Sequence, residues 1–286
     1  MLVLLGSWLL SAPRPLTEAA LPHHQGDLAN GERLFHAAGC FSCHKPASSL
    51  KGADGLPAGG SPLRTPVGTF YPPNLTPDPE TGIAKWSDLE FVNAVQRGIG
   101  KEGEHLIPAF PYTSYAAMRT EDVLDIRAYL ATLSPVVAPA RRPDIPAAFF
   151  LRRGIGIWKW FGLNTGQWQA DPSQSESWNR GAYLVNGPGH CGECHTPRNF
   201  LMVRDQSRKF AGGRHPEGTG SVPSLRDLAG RGRYKDAKQL AEALQFGETL
   251  GYDRLSSGGM GAVQQNLSKL PSEDIASIAE YLMSLK

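Results

Sequence analysis

The four cysteines of this 286-residue chain fall in two identical frames, Cys40-Phe41-Ser42-Cys43-His44 and Cys191-Gly192-Glu193-Cys194-His195, each reading C-x-x-C-H. None is left over. In c-type haem attachment two thiols form thioethers to the porphyrin vinyl groups, the short spacer sets both sulfurs along one edge, and the next histidine comes under the iron. Zinc fits poorly, because zinc sites usually draw their C-x-x-C pairs from nearer in sequence. Disulfides within each pair would need neither the histidine nor its repetition. The spacing therefore implies two covalently bound haem c groups, with His44 and His195 as proximal iron ligands.

An iron held by one histidine needs its sixth position defined, since a closed site moves electrons and an open one binds ligands. Methionine is the candidate. Met260, in Ser256-Ser-Gly-Gly-Met-Gly261, is expected on a flexible loop ahead of the terminal helix and is assigned to the second iron. Met118, just before Thr120, is assigned to the first, with His105 and an open site as alternatives. Met202 follows His195 too closely to reach the other haem face and is expected to pack, the usual fate of methionine. Met1 belongs to the apolar leader, and Met283 lies inside a helix.

The elements that must position these residues are themselves duplicated. Asn30-Gly31-Glu32-Arg33-Leu34-Phe35 parallels Asn179-Arg180-Gly181-Ala182-Tyr183-Leu184, each leading into its cysteine pair. Downstream, Thr120 to Leu130 parallels Ser272 to Leu282, each expected to open on an N-cap hydroxyl with acids in the first turn. Val123, Ile126, Leu130 and Leu133, like Ile275, Ile278, Leu282 and Leu285, form one apolar stripe at helical spacing. Ser87-Asp88-Leu89-Glu90 reads as a capping box for a helix stopped by Gly98, answered in the second repeat by Asp236 to Phe246, stopped by Gly247. The expectation is an all-α chain of two tandem haem domains, 26–134 and 176–286, joined by a Pro/Trp-rich connector, 135–175.

Residues 2–10 form an apolar run of signal-peptide length, although no Lys or Arg precedes it. Segment 1–25 is read as a signal peptide and disordered N-terminus, which places the protein in the periplasm. The run is too short to span a bilayer, and the most apolar later stretch, 147–163, carries Arg152, Arg153 and Lys159, so the mature chain is expected to be soluble. With 29 basic against 27 acidic side chains the formal charge is +2, which gives no polybasic surface for nucleic acid.

The chain resembles the periplasmic multihaem cytochrome c subunits of membrane-linked dehydrogenases, including those of alcohol and gluconate dehydrogenases. The resemblance rests on Tyr71-Pro-Pro-Asn-Leu-Thr-Pro-Asp-Pro-Glu-Thr-Gly-Ile83, Lys85-Trp-Ser-Asp88, Pro108-Ala-Phe-Pro-Tyr112, Trp178 to Leu184 and Gly189 to Arg198, and covers Gly26 to the C-terminus. It implies a class I-like cytochrome c fold in each domain, His/Met ligation, and relay of electrons from a catalytic partner to a downstream acceptor. Two departures stand out. Those subunits often carry three haems and a C-terminal membrane anchor, where two motifs and no anchor are read here. Phe110 also stands where many relatives place Met, which leaves Met118 as the reachable substitute.

The reading favoured is a non-catalytic relay between a dehydrogenase and an acceptor cytochrome, copper protein or oxidase in a respiratory chain, with peripheral membrane association through a partner. The alternative is a dihaem enzyme, such as a peroxidase or thiosulfate-oxidising cytochrome. There Glu104 and His105 would be a distal acid–base pair rather than an exposed loop. Phe149 to Arg153 and Ile157 to Phe161 are read either as a docking surface or as packing between domains. Tyr71 and Asn74 are assigned to the propionates of the first haem and Arg198 to those of the second, because buried carboxylates require donors or charge.

Overall fold

The computed structural model describes residues 6, 8–65, 68–146, 152–216, 220–247 and 259–286. The chain is mostly helical, and the Cα positions divide it into two compact units: 1–31 with 43–167 and 200–203, and 32–42 with 168–199 and 204–286. In chain order the elements are α1 (Leu28–Ala37), α2 (Cys40–Cys43), the pair β1 (Leu63–Thr65) and β2 (Gly68–Phe70), α3 (Asp88–Val92), α4 (Tyr112–Tyr115) and α5 (Thr120–Ala131). Then come α6 (Arg153–Gly162), α7 (Glu176–Asn186), α8 (Gly192–His195), the pair β3 (Gly213–Arg214) and β4 (Ser221–Val222), α9 (Ala237–Phe246), α10 (Gly259–Leu267) and α11 (Ser272–Ser284). Both strand pairs are short antiparallel turns of the chain, with Leu63 opposite Phe70 and Gly213 opposite Val222.

In the first unit α1 meets α5 at Gly31, where a side chain would run into the backbone carbonyl of Asp125. In the second unit α7 meets α11 at Gly181 against the carbonyl of Ser277, the equivalent position of the repeat. Only glycine lets two helices approach this closely. Each crossing is locked by a buried acid one turn earlier. Asp122, 2% exposed, accepts from Asn30 Nδ2 at 2.9 Å, and Asp274, 2% exposed, takes both Nε and Nη2 of Arg180 at 2.7 and 2.9 Å. Beneath the crossings Val123, Ile126 and Leu130 in one unit and Ile275, Ile278 and Leu282 in the other are buried, while Leu133 and Leu285, the last residues of the expected stripes, lie past the helix ends and are half-buried.

The Ser87 capping box forms with Glu90, Asp236 caps α9 through the Gln239 amide, and Gly98 and Gly247 end their helices in the left-handed conformation. After Val92 helix α3 runs on as a wider π turn, Asn93–Arg97. Two expected caps are displaced. The residues at the N-cap positions of α5 and α11 are Arg119 and Pro271, and neither caps through its side chain. The Thr120 hydroxyl instead bonds Gln96 and Gln167, and the Ser272 hydroxyl approaches Glu273.

The connector contains a helix that its composition did not suggest. Along α6, Ile157, Trp160 and Phe161 are exposed, while Gly156 packs under the carbonyl of Ser11. Of the segment considered for docking, Phe149, Phe150 and Leu151 lie outside the described residues. Within 1–25, Ser11 is buried, the Leu10 carbonyl accepts from Trp160 Nε1, the Leu16 amide donates to Asn93 Oδ1 at 2.7 Å, and His24 Nε2 meets Asp125 Oδ1 at 2.6 Å. Among the described residues no helix is long and apolar enough to cross a membrane.

Candidate haem-binding sites

Each motif is centred on a single tight helical turn, Cys40–Cys43 in α2 with His44 following it and Gly192–His195 in α8 with Cys191 as its N-cap, so the two thiols of a pair lie about one turn of backbone apart. No disulfide joins them. The histidines that close the motifs are 9% and 8% exposed. His44 Nδ1 lies 2.7 Å from the carbonyl oxygen of Pro73, and His195 Nδ1 lies 2.8 Å from that of Pro223. A carbonyl only accepts, so each Nδ1 carries the proton and donates, which leaves Nε2 as the basic nitrogen able to bind a metal. Burial lowers both histidines, His44 to about 4, so both rings are neutral as ligation requires. The same burial pushes the Cys191 thiol up to about 12, aided by neighbouring Cys194.

These two carbonyls are the part of the site that sequence reading missed. Pro73 and Pro223 follow their histidines by 29 and 28 residues. The recurring Pro at matched distance from each motif was the available signal. A neutral histidine fixed through Nδ1, beside paired thiols on one turn, fits the attachment of a c-type haem. Among the described residues no group of three or more His, Cys, Asp or Glu is arranged to hold a metal ion. Each site therefore offers one histidine rather than a cage.

Met118 is fully buried, in the turn after α4, and its backbone oxygen accepts from Gln96 Nε2 at 2.7 Å. Met260 is half-buried and sits in the first turn of α10 rather than on the expected loop. Met202, expected to pack, is 56% exposed with φ at 59°, in a loop where Phe200 is 91% exposed. His105 and Glu104 do not form an exposed loop. His105 is 3% exposed with Nε2 on the Ser11 carbonyl at 2.8 Å, and Glu104 Oε1 lies 3.9 Å from Arg152 Nη1.

Of the residues assigned to propionates, Tyr71 is half-buried beneath the Arg141 guanidinium, 4.1 Å from its ring centre. Asn74 directs its amide hydrogens to the Val136 carbonyl and the Thr81 hydroxyl, at 2.7 and 3.2 Å. Arg198 Nη2 donates to Glu193 Oε2 at 2.7 Å, and Arg204 Nε approaches the other oxygen at 3.5 Å. Glu193 is thus a buried carboxylate inside the second cysteine spacer, held between two guanidinium groups, where the first spacer has Phe41 and Ser42.

The cytochrome c family profile matches residues 28–134. A dihaem c-type cytochrome of Cereibacter sphaeroides is 42% identical over 260 residues, 90% of this chain and 85% of that protein. The fructose dehydrogenase cytochrome subunit of Gluconobacter japonicus is 35% identical across 99% of this chain and 57% of its own length. The gluconate 2-dehydrogenase cytochrome c subunit of Pantoea cypripedii is 36% identical across 94% of this chain and 63% of its own. The chain thus spans under two thirds of both dehydrogenase subunits. With its motif turns, oriented histidines and these similarities together, the chain belongs to the cytochrome c family.

Proposed function

We propose that the chain is an exported dihaem cytochrome c that relays electrons in the periplasm from a dehydrogenase to a downstream cytochrome, copper protein or oxidase. The observation that carries this reading is the pair of buried neutral histidines, each turned by a prolyl carbonyl so that Nε2 is left for iron. The similarity to dehydrogenase cytochrome subunits supports the donor class. Haem c supplies a one-electron ferric/ferrous couple at each site.

The chain's own residues do the rest. Cys40 and Cys43, and likewise Cys191 and Cys194, fix the cofactors covalently, so that none is lost outside the cell. His44 and His195 would each hold an iron, with Met118 and Met260 as the second protein ligands, which would exclude exchangeable ligands and favour the reduced state. Tyr71 and Arg198 serve the propionates. Asn74 has its amide hydrogens on Thr81 and on the Val136 carbonyl. The His105 ring is engaged by a backbone carbonyl, which favours the carrier over a peroxidase using that side chain as its distal group.

Near-infrared magnetic circular dichroism of the purified ferric protein tests this reading, because Met-ligated, bis-His and high-spin haem give distinct spectra. Two Met-ligated low-spin centres are expected. A bis-His centre removes the Met118 assignment, and a high-spin centre replaces the carrier with an enzyme.

A further inference from the structure

A cavity of about 270 Å³ in the second unit is lined by Lys209, Phe210, Arg226, Tyr281, Leu285 and Lys286. Three of these side chains are cationic and none is acidic. The carboxylates on the flanking segments are directed elsewhere: Asp205 pairs with Arg208 at 2.9 Å, and Asp227 accepts from the Gly230 amide at 3.1 Å. Lys209 is half-buried with its ammonium 5.1 Å from the Phe210 ring centre, and no carboxylate among the described residues lies within ion-pair distance of it. Burial and the neighbouring Arg204 both lower its pKa, a sign that its charge is undercompensated.

The far side of this basin is the second cysteine motif. Phe210 is 2% exposed, holds a left-handed φ of 63°, and is pinned there by its N–H, which donates to the Thr196 hydroxyl at 3.0 Å. A methyl group on Gly192 would meet its ring at 3.6 Å, in ordinary contact. Tyr281 packs edge-on to Phe210 at 6.5 Å between centroids and takes a hydrogen bond from Asn186 at 3.1 Å. The Phe210 ring therefore lies between the cationic basin it lines and Gly192 of the second cysteine motif.

We propose that this basin binds an oxyanion, phosphate or carboxylate, whose charge is felt by the haem attached at Cys191 and Cys194. A half-buried ammonium with no acid beside it calls for a compensating anion, and an anion beside the Gly192 turn would stabilise the ferric form and lower that haem's potential. The chemistry has two sources, a free oxyanion or a propionate of the same haem. The influence on potential rests on the dihaem reading, whereas binding does not.

The test titrates inorganic phosphate into the holoprotein at an ionic strength held constant with chloride, and reads both calorimetric heat and the two reduction potentials. Saturable heat is expected, weakened about tenfold in Lys209→Gln and in Lys286→Gln, with one potential falling as phosphate saturates. Absence of phosphate heat, with the pH dependence of one potential shifted by Lys209→Gln in phosphate-free buffer, identifies the propionate as the oxyanion. Absence of both overturns the proposal. Lys286 is exposed, so its variant keeps the test open should Lys209→Gln fail to fold. Haem stoichiometry is measured on the same sample, so a single-haem protein that still gives saturable heat would sink the dihaem reading and leave the site standing.

Discussion

Asn74 is 2% exposed, and its side chain makes four hydrogen bonds, accepting from the Thr76 amide and hydroxyl and donating to Thr81 and Val136. Asn74→Ala strands these buried partners, and should cost about 3 kcal/mol by chemical unfolding of the holoprotein. The first haem's potential should stay put, and a large shift would return Asn74 to the propionates. His36 gives a pH-dependent prediction. Its pKa is lowered mainly by burial and then by Lys269, against a smaller upward pull from Glu32, and its Nδ1 is buried without a hydrogen-bond partner. The unfolded chain therefore takes up this proton first as pH falls through 6.5, so the histidine subtracts stability over the range between that value and its lower folded pKa. His36→Leu should flatten the decline in melting temperature on that acid side. A decline unchanged from the parent protein would refute the assignment.

Gly181 and Gly154 separate two uses of glycine in helices. At Gly181 a methyl group would strike the Ser277 backbone, which cannot move without parting α7 from α11. Gly181→Ala should lower stability by about 3 kcal/mol. Gly154, in α6, has nothing within 4 Å of the same position, so Gly154→Ala should be neutral or stabilising by up to about 1 kcal/mol. Thermal unfolding of both variants checks the pair, and equal effects would mean that the crossing tolerates separation. Much at this scale was legible in sequence. Ser87, Asp236, Gly98 and Gly247 carry their signals in single residues, and the stripes on α5 and α11 follow from helical period. The carbonyls of Pro73 and Pro223 were not legible as partners, because a backbone oxygen has the same identity at every position and only the fold brings it to a ring. Met260 was misplaced for a related reason: glycines around it suggested a loop, yet Gly259 and Gly261 are tolerated in the first turn of α10. In the connector, prolines at 135–146 and Pro172 masked the helical run Arg153–Gly162 between them.

At the scale of the whole molecule the cofactors alter the charge as much as any surface patch does. The polypeptide carries a formal charge of +2 and a sequence isoelectric point near 8.3. Each haem adds a pair of propionates, only partly offset by ferric iron and not at all by ferrous iron, so loading both motifs moves the protein toward neutrality or beyond. Strong steering by a positive surface is therefore not expected of the loaded protein, and local basins matter more than net charge. Isoelectric focusing under reducing conditions makes this countable. The loaded chain should focus well below 8.3, and a variant with Cys191 and Cys194 replaced by alanine should focus between it and the haem-free chain. A variant lacking Cys40 and Cys43 should fall in the same intermediate band, since either motif contributes an equal pair of carboxylates. Were one of the two variants to focus with the fully loaded protein, its motif would carry no haem, and the duplicated sequence would hold a single redox centre.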